Sequence, residues 1–394
     1  MTKLIKGLTS KSACSKLELV GIYCFWAAFL FELIYLIFCK SDFYLPNENK
    51  WILGMTCLYV VKILFTRYTK KEWCVIALLA LVSLLAYCTV QNVDYFRILV
   101  FVVASKGINR QTAFELTGVS LICMTLLLVV RCLLGIQGTL VDIGEFGRGI
   151  TEMRYRFGFS HANQLHYTVF CIIAVYLWVK KEKLTWKEYF LLLASNTALL
   201  YLTRSRTGAL TIYLMIIGSM VMKYCKKLRE RNWVYNLGYV ALTGVTGIAL
   251  IGRFVDTDHI LYPYLWKIDM ALTGRLNLAY RYSPKPLQLF SNRPGGYTDM
   301  GLIMQVNSCG VMMTILFLFA MVGLIYAISK NKDGASFVLL LATLLYILTE
   351  NQQASLGWAS QSFVVLLLID QWNCLFSEKR PEGGKFLWKI NRRS

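Results

Sequence analysis

Apolar segments of membrane-spanning length recur along almost the whole chain, and nothing else in the sequence narrows the possible folds as far. Twelve candidates run approximately over residues 18–39, 51–66, 73–91, 94–105, 113–136, 163–179, 187–203, 207–222, 233–252, 298–328, 336–350 and 356–375. A helix needs about 20 mostly apolar residues to cross the hydrocarbon layer. Of the 394 residues, 57% are hydrophobic and 16% are charged, where a water-soluble chain carries about 25%. Lipid offers no hydrogen bonds to backbone groups, so such segments form helices. The expectation is an all-α polytopic integral membrane protein of about twelve transmembrane helices, a single domain over residues 1–394. The segment 94–105 is short, carries Arg97, and reads as broken or partly re-entrant. The first apolar run lacks a small-residue cleavage site and leads into further spans, so it reads as a retained signal anchor. The twelve cysteines, Cys24, Cys57, Cys123, Cys171 and Cys309 among them, lie in or beside apolar runs. They read as small buried hydrophobes rather than a disulfide framework or a metal cluster.

Charge placement sets the expected orientation. With the N-terminus inside and the spans alternating, the inner segments hold 26 of the 42 Lys and Arg residues and the outer segments hold 13. That bias puts both termini in the cytoplasm. The net charge of +20 is mostly this inner belt, which faces anionic lipid and calls for no nucleic-acid partner. Inside, 7 of the 26 are Arg; outside, 9 of the 13 are: Arg148, Arg154, Arg156, Arg204, Arg206, Arg253, Arg275, Arg281 and Arg293. Arginine's planar fork binds phosphate through two parallel hydrogen bonds and keeps its charge when partly desolvated. The set points to a phosphate or pyrophosphate site. The competing reading for any one of them is a headgroup contact or an ion pair with Glu152, Asp256, Asp258 or Asp269.

Two long outer loops, 137–162 and 253–297, carry most of these arginines. In the first, Arg154 and Arg156 precede a Gly-aromatic turn and then His161 and Asn163 at the start of the next helix. A helix amino end beside Arg is a natural anion site; His161 could equally be a plain cap, and His166, inside the span, reads as structural or as a partner to a buried polar group. Arg204 and Arg206 sit in TRSRTGAL, where the seventh span ends and the eighth begins. The second loop exceeds the usual connection length, as functional loops do. Its Asp256-Thr257-Asp258 has the form of a metal grip but reads as solvated surface. Asp299, where this loop meets the tenth helix, and Glu350, at the outer end of the eleventh, are the carboxylates best placed for general-base work, with ion pairing to an Arg as the alternative.

The Gly-Phe-Ser-His-Ala-Asn run at 158–163, the Thr-Arg-Ser-Arg-Thr-Gly turn at 203–208, the Thr-Gly-Arg at 273–275 and the closing segment from Asp299 resemble bacterial polysaccharide polymerases of the Wzy type and the related O-antigen ligases. The resemblance covers roughly residues 150–350 in motif order. In the ligases the second long loop ends in a His-Asn pair, nine residues and a Gly; here the same spacing reads Asp299-Met300, nine residues, Gly310. The aspartate at the histidine position counts towards a polymerase. The resemblance implies a fold like that of C-type membrane glycosyltransferases in a bacterial plasma membrane. It implies polyprenyl-pyrophosphate-linked glycans as donor and acceptor, a flippase and a chain-length regulator as pathway partners, and no cofactor and no metal. Asp299, Glu350 and His161 become the expected catalytic residues, and Arg154, Arg156, Arg204, Arg206, Arg275 and Arg293 the expected pyrophosphate ligands. An O-antigen-type ligase and a lipid-linked oligosaccharide flippase are the alternatives. A transporter tends to show repeats between its halves, and none is evident.

Overall fold

Polar residues at the ends of apolar runs decide where the helices begin. The computed structural model describes residues 15–42, 47–146, 149–256, 258–272, 274–283, 286–292, 298–352 and 362–369. Helix α1 (Lys16–Cys39) opens on a capping box, in which Ser15 Oγ accepts from Glu18 N and the Glu18 carboxylate accepts from Ser15 N. Helix α2 (Glu48–Leu64) returns along α1. Helix α3 (Lys70–Val90) opens on a second capping box, Thr69 with Glu72. Helices α4 (Asp94–Ala104) and α5 (Arg110–Leu133) follow, the latter capped by Asn109. Strands β1 (Val141–Glu145) and β2 (Thr151–Tyr155) form an antiparallel hairpin in which Asp142 lies opposite Arg154.

Helix α6 (Ala162–Lys180) starts at His161, and α7 (Trp186–Thr203) at a third capping box, Thr185 with Glu188. Then come α8 (Arg206–Tyr224), α9 (Asn232–Phe254), the short α10 (Tyr262–Ala271) and α11 (Arg275–Tyr282), α12 (Gly301–Cys309), α13 (Val311–Asn331), α14 (Gly334–Thr349) and α15 (Phe363–Leu368).

Seven of these helices, α1, α3, α5, α6, α8, α9 and α13, are long and apolar enough to cross a membrane, and α14 is a shorter apolar helix. Their burial is uneven in the way a lipid solvent allows. Only 17% of the apolar window of α3 is buried, and Leu78, Leu81, Leu84 and Leu85 lie exposed along it. In water such a face would be an aggregation surface; in a bilayer it is the ordinary outside of the protein. Helix α6 is the centre, with 67% of its window buried and with α5, α7, α8 and α14 around it. The fold is therefore that of a multi-pass membrane protein, largely helical, with one small hairpin.

Several sequence expectations change in detail. The 137–162 loop is not all irregular: it holds the hairpin. The 253–297 loop holds α10 and α11. The segment 94–105 is an 11-residue helix packed between α2 and α3. The tenth run breaks in two at Gly310, whose φ of +90° only glycine adopts readily. A Cβ there would lie 2.6 Å from Leu289 O, because the 286–292 strap crosses the break. The strap also satisfies the loose backbone groups, with Ser291 N donating to Cys309 O and Val311 N to Gln288 O. Irregular backbone inside an apolar region is tolerated where protein covers it in this way. The cysteine expectation needs correcting. Cys132, Cys171 and Cys309 are buried, but Cys39, Cys57, Cys74, Cys88, Cys123 and Cys225 are exposed, because helix faces that meet lipid need not be turned inward.

Candidate functional site

The hairpin, the carboxyl ends of α1, α7, α9 and α14, and the amino ends of α6, α8 and α11 gather at one end of the bundle. Two arrangements of charge form there.

The first is built on α11. Asp269 caps this helix, with Oδ1 accepting from Leu276 N at 2.8 Å and Oδ2 from Tyr262 Oη at 3.0 Å. That fixes Arg275, the first residue of α11, which is itself buried. Its Nη2 donates to Glu350 Oε1 at 3.3 Å, its Nη1 donates to Leu272 O, and its Nε lies 3.7 Å from Asp299 Oδ2. Glu350 is the first residue beyond α14 and is only 3% exposed. Asn163, in the first turn of α6, donates to its Oε1 at 3.4 Å. Burial, with the Asp299 charge beside it, pushes the Glu350 carboxyl up to about 7, against the pull of Arg275. One arginine serves two carboxylates, so the assembly is short of positive charge and holds a carboxyl that trades a proton near neutrality. That is the property a general base needs.

His161 belongs to the same neighbourhood. Its Nδ1 accepts from Asn163 N at 3.1 Å, capping α6, and its ring meets the Phe146 ring nearly edge-on. Burial, and then the Arg154 charge, lower its pKa below the ordinary histidine value. A neutral ring whose Nδ1 accepts carries its proton on Nε2, so His161 presents a donor rather than a base.

The second arrangement is the TRSRTG turn. Thr203 Oγ1 donates to Leu199 O, so the 2.9 Å contact with His166 Nδ1 is a bond that His166 donates. Asn196 Nδ2 donates to Ala209 O at 3.0 Å. Gly208 completes the lock, since a Cβ there would lie 2.6 Å from His166 Cδ2. His166 is thus structural, as expected: it anchors the turn. Arg204 adopts φ +55° and lies 4.7 Å from the centroid of the Tyr201 ring. Arg206 forms no ion pair among the described residues, and both arginines are exposed. They line a cleft of about 900 Å³ with Glu152, Tyr155, Thr197 and Tyr201. The cleft shares Thr197, Tyr201 and Leu202 with a neighbouring groove of about 800 Å³ running along α7 past Phe190 and Leu193.

Arg154 and Arg156, also expected as ligands, are engaged elsewhere. Arg154 is buried, pairs with Glu152 at 2.7 Å and lies over the Phe146 ring. Arg156 pairs with Asp42 at 3.4 Å and Asp142 at 3.3 Å, tying the hairpin to the end of α1. Arg293 lies outside the described residues. The acid at Asp256 accepts from Tyr280 Oη and Asp258 N, an ordinary turn. Sequence reasoning named Asn163 and Arg253 without placing either among the expected site residues, and it missed Lys40; the buried Arg253 donates from Nη1 to Asn307 Oδ1 at 2.6 Å. The side-chain bond from Asn163 to Glu350 crosses 187 residues of sequence, which no local pattern shows.

The fold and this end of the bundle define a multi-pass membrane protein with a buried carboxylate–arginine assembly beside an arginine-lined cleft. No family model matches the chain, and no curated protein and no solved structure shows significant similarity to it.

Proposed function

We propose that the chain is a membrane glycosyltransferase that joins polyprenyl-pyrophosphate-linked oligosaccharide repeat units into a longer polysaccharide at the outer face of a bacterial plasma membrane. In this reading twelve helical segments cross the bilayer, both termini are cytoplasmic, and the hairpin end faces outward, as the lysine and arginine distribution favours. One observation carries the proposal. The Asp299–Arg275–Glu350 assembly and the Arg204–Arg206 cleft share one end of the bundle, and the cleft opens onto an apolar groove. An acceptor hydroxyl gives its proton to a carboxylate of the assembly and attacks the anomeric carbon of the donor glycan. The bond from that carbon to the pyrophosphate oxygen breaks, and the leaving group's charge falls to Arg204 and Arg206. A single displacement inverts the anomeric centre. The Nε2–H of His161 is available to a sugar or phosphate oxygen, and the α7 groove suits an isoprenoid tail.

Purified protein supplied with a polyprenyl-pyrophosphate-linked repeat unit tests this reading. A ladder spaced by one unit, lost in Glu350→Gln and in Arg204→Ala with Arg206→Ala, supports it. Intact native substrate with no ladder refutes it, and transfer to a different acceptor or between leaflets would then identify a ligase or a flippase.

A further inference from the structure

Lys40 is a buried ammonium with no counter-ion among the described residues. It follows the last residue of α1, and its side chain turns inward until only 9% of the residue is exposed. Its Nζ sits 3.9 Å from the centroid of the Tyr167 ring. It makes no ion pair and no side-chain hydrogen bond among the described residues. The other buried cations at this end all have polar partners: Arg154 has Glu152, Arg275 has Glu350 and Asp299, and Arg253 has Asn307. Outside the described residues the carboxylates are Asp370, Glu378 and Glu382, all in the C-terminal segment, and residues 43–46 contain none.

An aromatic face attracts a desolvated cation but falls well short of replacing its hydration. Burial accordingly lowers the Lys40 pKa to about 7, with only the Cys171 and Cys39 thiols opposing it. The residue is also held in place. Its carbonyl accepts from Ser160 N at 3.0 Å and from Ser160 Oγ at 3.2 Å, directly before the amino end of α6. Ser41 bridges to Phe159, and Asp42 N donates to Gly158 O. The backbone of 40–42 is thereby fixed to the 158–160 turn that leads into His161 and Asn163. From that anchor the side chain runs along α6, and its ammonium lies over Tyr167 with Cys171 beyond, a buried position that an anion would neutralise.

We propose that Lys40 is an anion-binding residue whose ion pair is completed by the phosphate group of a bound ligand. The chemistry is that of a phosphate monoester or diester, carried by a lipid-linked pyrophosphate or by a phospholipid headgroup. The proposal deepens the reading of the hairpin end as a phosphate-handling surface, but its test does not depend on turnover.

The full-length protein in a maltoside detergent is treated with an acetylating succinimidyl ester. Lys40 modification is followed by peptide mass spectrometry, with the exposed Lys50 as control. Inorganic pyrophosphate should slow Lys40 acetylation several-fold and leave Lys50 unchanged. Protection by polyprenyl pyrophosphate at concentrations where phosphatidylglycerol gives none assigns the site to the lipid-linked substrate. Equal protection by both assigns it to phospholipid headgroups, and either outcome supports the anion site. No protection by any of the three overturns it.

Thermal unfolding serves if Lys40 reacts too slowly to follow. Pyrophosphate should raise the apparent Tm of the wild type and raise that of Lys40→Met less. The same shift in both proteins, or none in the wild type, overturns the proposal. Lys40→Met should itself fold and melt higher without ligand, since it removes an uncompensated buried charge. Protection without polymer formation would keep the site and remove the polymerase. Polymer formation without protection would do the reverse.

Discussion

Replacing Arg275 by Met tests whether the buried assembly is held together by charge. The substitution keeps an unbranched side chain but leaves Glu350 and Asp299 without their shared cation. Breaking a fully ionised buried pair costs about 3–5 kcal/mol. Asp299 contributes little of that, because its side chain is 28% exposed and solvent screens it. Glu350 is the sensitive group, and its carboxyl already stands near 7 with Arg275 present. A carboxyl raised on folding adds stability below its unfolded pKa, and that stability is lost as pH rises through the folded value. Without Arg275 the folded value rises further, so the variant holds its proton from about pH 6 to about pH 8 while the wild type releases one. Each pH unit of full difference is worth about 1.4 kcal/mol, and the average difference across that window is about half a proton. The penalty should therefore be roughly 1–2 kcal/mol near pH 6, mainly lost hydrogen bonds, and larger by about 1.4 kcal/mol near pH 8. Thermal unfolding of wild type, Arg275→Met, Glu350→Gln and the double variant at both pH values measures it. The double variant should recover most of the loss seen in Arg275→Met. A penalty independent of pH, with no recovery in the double variant, refutes the argument.

Gly310→Ala should destabilise by more than about 2 kcal/mol, because its Cβ would meet Leu289 O at 2.6 Å at a positive φ; a wild-type Tm would show that the strap is not packed on the break. Arg204→Ala with Arg206→Ala should lower polymer formation about 10²-fold or more with the unfolding temperature unchanged, whereas Arg→Lys at both should restore activity only in part. Polymerisation should rise as pH goes from about 6 to about 8 in step with ionisation of Glu350, and a profile that keeps this limb in Glu350→Gln would remove Glu350 as the base.

The membrane class was legible in the sequence because it depends on hydropathy summed over long windows. The capping boxes at Ser15, Thr69 and Thr185 were equally local signals, each a Ser or Thr three residues before a Glu. The hairpin at 141–155 was hidden, because its strands are five residues each, too short for alternation to stand out. The break at Gly310 was hidden for another reason: it exists because the strap from residues 286–292 lies against it. At the site, arginine placement was readable but arginine partnership was not. Arg154 pairs two residues away, whereas Arg156 reaches Asp42 and Arg275 reaches Glu350, 75 residues on.

That difference in partnership divides the arginines by what they can do. An arginine already bonded to carboxylates must break those bonds before it binds phosphate, and the exchange returns little free energy. Arg156 and Arg154 are therefore better suited to holding the hairpin against α1 and Phe146 than to meeting a ligand. Arg275 is better suited to holding two carboxylates at working distance. The turn at Arg204 and Arg206 differs in where its side chains lie. His166, Asn196 and Gly208 fix its backbone, while its two side chains reach into a cleft rather than into the core. Rigid backbone beneath exposed guanidinium groups is what preorganised anion recognition requires. Lys40 adds a third situation, a buried cation with no anion beside it among the described residues. The end of the bundle thus separates a proton-exchanging assembly that carries its own countercharge from positive groups that can take one up.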